Sequence, residues 1–229
     1  MKWRSLEESV GQAEVRPLRE IYAERKALIE KYVRPEVQAI HLRSIAELKE
    51  RRLGEGALRA GAQAPDFTLQ DHRGKTVSLA DLRARGRVVL CFIRGRWCPF
   101  CVGQVEAMNR IAADIEMSGA QLAVISPQTV QQSFFMADQH KLGFPLLSDT
   151  GNRVARAFGL VYRVPDYQQE IYRWAFVNLP FANGDESWEL PIPATYIVDR
   201  DGTILDAHAD PDYTNRPEPA EIVSWLISH

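Results

Sequence analysis

The 229-residue chain has few cysteines, no long apolar run and no excess of charge of one sign. Each shortage excludes something. Three cysteines are too few for the staple pattern of a small secreted domain, and a chain of this length buries a core without disulfides. No stretch approaches the roughly 20 apolar residues of a membrane span, and the opening MKWRSLEESV carries charges where a secretory leader needs an apolar run. The expected location is the cytoplasm, with no membrane partner. With 28 basic against 30 acidic residues there is no basic stripe, so no nucleic-acid partner is expected. Apolar residues at 45% and charged residues at 25% give the balance of an ordinary globular protein and not of a disordered chain.

Apolar residues recur at helical spacing from about residue 3 to 53. Leu18, Ile21, Tyr22, Leu28, Ile29, Tyr32 and Val33 make one stripe; Pro35 interrupts it, and Val37, Ile40, Ile45 and Leu48 make a second. This is a helical N-terminal arm with a glycine-containing linker near 54–62. It is expected to pack on the main domain or on a second copy, a candidate homodimer contact, and to carry no chemistry.

From residue 63 short strand-like runs alternate with helical patterns, the signature of an α/β domain. A hairpin is expected over 66–78. Arg87 to Ile93 reads as a strand buried on both faces. The spacing then predicts a helix over 99–117, a strand over 121–125, a helix over 130–141, a strand over 144–147 and a helix near 153–158. An aromatic-rich insert, Tyr162 to Leu190, precedes a last hairpin turning at Asp201-Gly202 and a closing helix over 218–227.

Arg94-Gly95-Arg96-Trp97-Cys98-Pro99-Phe100-Cys101 joins a buried strand to a helix. The reactive form of a thiol is the thiolate, and a helix N-terminus or a nearby cation lowers the thiol pKa. Cys98 is expected at the N-cap and Pro99 at the first helical position, where its missing N–H is not needed. Arg94 and Arg96 add positive charge. Two intervening residues place Cys101 one turn along, within reach of a mixed disulfide or sulfenic acid on its neighbour. Zinc needs more: one Cys-x-x-Cys with His41, His72, His140, His208 and His229 scattered is short of ligands, so neither metal nor cofactor is expected. Cys91, in mid-strand, reads as an inert core thiol.

Ala64-Pro65-Asp66-Phe67-Thr68-Leu69, Phe144-Pro145-Leu146-Leu147-Ser148-Asp149 with Ala157-Phe158-Gly159, and Tyr196-Ile197-Val198-Asp199 with Asp201-Gly202 resemble, in order, segments of the alkyl hydroperoxide reductase/thiol-specific antioxidant (AhpC/TSA) group, the peroxiredoxins. The resemblance covers about 58–229 and implies a thioredoxin-like fold, a central mixed sheet flanked by helices, after an arm and linker over 1–57. The peroxiredoxin pattern Pro-x-x-x-Thr-x-x-Cys puts Arg94 at its proline, Cys98 at its threonine and Cys101 at its peroxidatic cysteine. The family's strand arginine falls on Pro193, in Pro193-Ala194-Thr195-Tyr196. Trp97-Cys98-Pro99-Phe100-Cys101 is instead similar to thioredoxin-like reductases, whose register makes Pro193 a cis proline facing the dithiol and leaves the Ile192 backbone open to an extended substrate.

The implied activity is a thiol peroxidase: a hydroperoxide oxidises the Cys98/Cys101 pair, and a thioredoxin-like or small-thiol reductant restores it. The alternative is a thiol–disulfide oxidoreductase acting on protein disulfides; a third reading is a non-catalytic redox sensor. Trp97, Pro99, Arg94, Arg96, Pro193 and Thr195 are the candidate substrate-positioning residues. The family register names Cys101 as attacker. Local physics names Cys98, as the more exposed thiol meeting free N–H groups, with Cys101 resolving, and this order is the expectation adopted. The aromatic insert is expected to lie over the pair.

Overall fold

The structure is a computed structural model that describes residues 16–229. The part of the expected arm before residue 16 lies outside the described residues. Two helices of the arm follow, α1 (Leu18–Tyr32) and α2 (Pro35–Glu50), parted at Val33-Arg34 because Pro35 opens the second helix. No side chain of its own caps α1. Instead the Glu218 carboxylate accepts the Leu18 and Arg19 N–H groups at 2.8 and 2.7 Å, an anion on a helix N-terminus supplied from the far end of the chain.

The body is a seven-stranded mixed sheet in the order β2-β1-β5-β4-β3-β8-β9. Its strands are β1 (Thr68–Asp71), β2 (Thr76–Ser78), β3 (Arg87–Phe92), β4 (Ala120–Ser126), β5 (Leu146–Ser148), β8 (Ala194–Val198) and β9 (Ile204–Ala209). The pairs β3/β4 and β4/β5 are parallel, and the other neighbours are antiparallel. Central β3 is apolar from Val88 onward because both its faces are covered there. Val88, Leu90 and Phe92 enter one core, where Phe92 packs on Phe158 and Tyr196; Val89, Cys91 and Ile93 enter the other with Cys98 and Cys101.

After β3 the chain forms α4 (Pro99–Arg110) and α5 (Ala112–Met117), so the helix expected over 99–117 is broken at Ile111, whose ψ of 6° leaves the α region. Earlier comes α3 (Leu79–Arg83), and later α6 (Val130–His140) and α7 (Arg153–Ala157). The insert has its own structure: β6 (Val161–Arg163) pairs with β7 (Glu189–Pro191) around α8 (Asp166–Trp174) and α9 (Leu179–Asn183). The closing helix is α10 (Pro219–Ser228). Gly159, in the Ala-Phe-Gly motif, has φ +74° and lies so close to the linker that a Cβ would sit 2.0 Å from the Gly56 carbonyl oxygen.

Candidate active site

Cys98 is the N-cap of α4 and Pro99 its first residue, as the spacing predicts. Both thiols are free and buried, Cys98 at 1% and Cys101 at 0% exposure, so the difference in exposure that favoured Cys98 is absent. What converges on them differs. Cys101 Sγ accepts the Arg94 backbone N–H at 3.4 Å and Arg216 Nη2 at 3.6 Å. Burial alone would raise the Cys101 pKa. The hydrogen bond from Cys98, the Arg216 and Arg94 guanidiniums and the Arg94 N–H together hold it well below the ordinary thiol value. Burial drives Cys98 the opposite way, well above its ordinary value, and its hydrogen bond to a charged neighbour adds to the rise.

Arg94 is buried under aromatic rings. Its Nη2 donates to the Tyr172 hydroxyl at 2.6 Å, and its guanidinium lies 4.8 Å from the Trp97 ring centre and 4.2 Å from that of Tyr213. Its Nε and Nη1 have no hydrogen-bond partner among the described residues. Since a guanidinium stays protonated, this is a fixed cation beside the dithiol.

Arg96 does not join it. Its Nε reaches Gln132 Oε1 at 2.9 Å, and its guanidinium lies over the Phe135 ring, directed to α6. The Ile192–Pro193 bond is trans, not cis. The Ile192 N–H is taken by the Leu160 carbonyl at 2.8 Å, so the donor of the expected open edge is already paired within the chain, and the neighbouring Pro193 carbonyl accepts the Asp210 N–H at 3.3 Å. Thr195 is buried one step from the thiols: its hydroxyl accepts from Gln104 Nε2 at 3.3 Å and donates to Cys91 Sγ at 3.7 Å.

The insert roofs the site only in part. Tyr172 of α8 packs on Trp97 with ring centres 5.1 Å apart and Tyr162 is buried, whereas Trp174, Phe176 and Phe181 face solvent. The arm supplies the other cover. Tyr22 donates its hydroxyl to the Phe100 carbonyl and Arg25 donates to the Pro99 carbonyl, the two residues between the cysteines. Gly103 makes room for them, since a Cβ there would come within 2.6 Å of Arg25 Nη1.

Five participants escape the sequence reading. Tyr22 belongs to the apolar stripe of the arm and Arg25 to its charged face, and Arg216 and Tyr213 lie in a loop without periodicity. Gln104 did leave a signal: it stands three residues after Cys101 on a helix face otherwise continued by Val105 and Met108, a polar residue on an apolar stripe.

The sequence profile of the AhpC/TSA family matches residues 60–207. The chain belongs to the AhpC/TSA family. Among its relatives is a Mycobacterium tuberculosis (strain ATCC 25618 / H37Rv) protein carrying a peroxiredoxin name, 31% identical over 150 residues, 66% of this chain and 84% of that one. The thiol-disulfide oxidoreductase ResA of Halalkalibacterium halodurans is 30% identical over 105 residues, 44% of this chain and 57% of its own length. Among solved structures, peroxidoxin BcpB of Mycobacterium tuberculosis superposes with a TM-score of 0.58 at 22% identity, covering 75% of this chain and 97% of that one, a likeness that shows the shared thioredoxin-like fold. For this AhpC/TSA protein one consequence is immediate. Arg216, which meets the Cys101 sulfur, lies beyond the matched segment.

Proposed function

We propose that this protein is a thiol peroxidase in which Cys101 attacks the hydroperoxide and Cys98 resolves the product, the reverse of the order expected from the sequence. The observation that carries the reading is the convergence of the Arg94 N–H and the Arg216 guanidinium on Cys101. The Cys101 thiolate attacks the terminal peroxide oxygen, the O–O bond breaks, and the alkoxide leaves. Cys98, kept protonated by its burial, is the nearby acid that completes the alcohol. Cys98, now a thiolate, attacks the Cys101 sulfenic sulfur; the S–S bond forms and hydroxide departs to become water. Two equivalents of an external thiol then reduce the disulfide and are themselves oxidised to a disulfide.

The ResA relative keeps a disulfide-reductase reading in view, but burial of both thiols favours a small peroxide over a protein disulfide as first reactant. Among the described residues no helix is long and apolar enough to cross a membrane. A reducing cytoplasm suits a dithiol that must be re-reduced, and among the described residues of the arm the exposed Tyr32 and Leu42 offer apolar surface for a homodimer contact. The test is single-turnover reaction with hydrogen peroxide and an alkyl hydroperoxide, with trapping of sulfenic acid. Cys98→Ser should keep the fast reaction and carry the trapped adduct on Cys101, and Cys101→Ser should lose it. A fast reaction retained by Cys101→Ser would restore the Cys98-first order. Disulfide reduction faster than peroxide turnover would favour the reductase.

A further inference from the structure

We propose that the exposed face formed by Arg96, Phe134 and Phe135 is where a thioredoxin-like dithiol protein docks to reduce the disulfide between Cys98 and Cys101. The inference rests on the peroxidase reading, in which every turnover needs an external thiol.

The dithiol is covered on two sides. The arm bonds the Pro99 and Phe100 carbonyls through Arg25 and Tyr22, and Tyr172 of the insert packs on Trp97. Of residues 93–97, which lead from β3 to Cys98, only Arg96 is exposed. It is held in place. Its N–H is bonded by Gln128 Oε1 at 2.5 Å and its Nε by Gln132 Oε1 at 2.9 Å, and its guanidinium lies 5.9 Å from the centre of the Phe135 ring. Phe134 and Phe135 of α6 are 48% and 45% exposed, with ring centres 6.1 Å apart. Aromatic and arginine side chains are the usual anchors of a protein interface, and these three stand together, already ordered, beside the dithiol loop.

Charge selects the occupant. Among the described residues Arg96 has no ion pair: Gln132 is neutral, and Asp138, one turn further along α6, is paired with Lys141 at 2.9 Å. The face therefore suits a partner that presents apolar surface and a carboxylate next to its own cysteine pair. A second copy of this chain suits it less, because a two-fold axis through the face would set Arg96 against Arg96.

The chemistry runs from the same side. A partner thiolate attacks Cys98 Sγ, the S–S bond breaks, and Cys101 leaves as the thiolate that the Arg94 N–H and Arg216 favour. The partner's second thiol then attacks its own sulfur in the mixed disulfide and gives its proton to the departing Cys98. Two electrons have passed to the chain, and the partner leaves as a disulfide.

The test compares two reductants on the full chain, oxidised with one equivalent of hydrogen peroxide: thioredoxin, kept reduced by thioredoxin reductase and NADPH, and dithiothreitol, which needs no docking face. The paired variant Phe134→Ser with Phe135→Ser should lose about ten-fold or more in kcat/KM for thioredoxin, and should keep both its rate with dithiothreitol and its single-turnover rate with peroxide. Arg96→Glu should also slow thioredoxin, and the fall of that rate with added salt in the unaltered chain should be lost. An unchanged thioredoxin rate in the paired variant overturns the proposal, as does an unaltered chain that dithiothreitol reduces and thioredoxin does not. A mass that drops from dimer to monomer in the paired variant overturns it too, giving the face to a second copy. Should the paired variant fail to fold, Arg96→Glu decides alone, an unchanged thioredoxin rate again overturning the proposal. If peroxide forms no disulfide, the peroxidase reading falls, and the disulfide made with diamide puts the docking face to the same comparison.

Discussion

If α1 is the cover of the dithiol, loosening it should expose the thiols in proportion to the contact energy removed. Tyr22 is the point to perturb. Its ring is 4% exposed and meets Phe100 edge-on with ring centres 5.1 Å apart, and its hydroxyl serves the Phe100 carbonyl. Truncating a buried aromatic side chain to alanine costs about 3–5 kcal/mol. If that cost falls on local undocking of α1 and not on global unfolding, the undocked fraction rises by roughly two to three and a half powers of ten. Tyr22→Phe keeps the ring and loses one hydrogen bond, about 0.5–1.5 kcal/mol, a rise of no more than about ten-fold. The assay is the rate of alkylation of Cys98 and Cys101 in the reduced protein, resolved by peptide mass spectrometry, alongside the melting temperature. The expected ranking is Tyr22→Ala far above Tyr22→Phe, and Tyr22→Phe modestly above the unaltered protein. A Tyr22→Ala protein that melts lower but is alkylated at the unaltered rate would refute the reasoning, because the arm would then stabilise the fold without closing the site.

Two further outcomes follow from single residues. His41, between Gln168 and the Tyr172 ring, is lowered from its ordinary 6.5 to about 4 by burial and by the Arg94 charge. The unfolded chain therefore takes up a proton first as pH falls, and stability present above pH 6.5 declines toward pH 4 by roughly 2–3 kcal/mol. Urea midpoints should fall across that window, and His41→Gln should flatten that part of the slope; an unchanged slope would place His41 outside the linkage. Phe176 holds φ +60° while 98% exposed, a left-handed conformation costing a side-chain-bearing residue about 1–2 kcal/mol. Phe176→Gly should raise the melting temperature slightly, glycine's own chain entropy offsetting part of the gain; a lower melting temperature would mean that the ring makes a stabilising contact.

The strand-to-helix order was legible in the chain because its signals are local. The period of the arm, the unbroken apolar run of β3, the Asp-Gly turn before β9, and Cys98 and Pro99 at the head of α4 each depend on a few neighbouring residues, and each appears where the spacing puts it. Sequence alone also singled out the candidate site, a dithiol opening a helix after a buried strand. It did not decide which thiol is charged, because that depends on cations brought in from elsewhere. Arg216 is 115 residues from Cys101, in a loop without periodicity. Arg94 and Arg96 are two residues apart and equally charged, yet one lies beside the dithiol and the other on α6, a choice made by the rings of Trp97, Tyr172 and Tyr213 on one side and by Gln132 on the other. Burial worked the same way. The first turn of a helix is exposed by default, and Cys98 is hidden because α1 and the Tyr172 turn of the insert fold back over it, contacts between segments far apart in the chain that only the packed structure brings together.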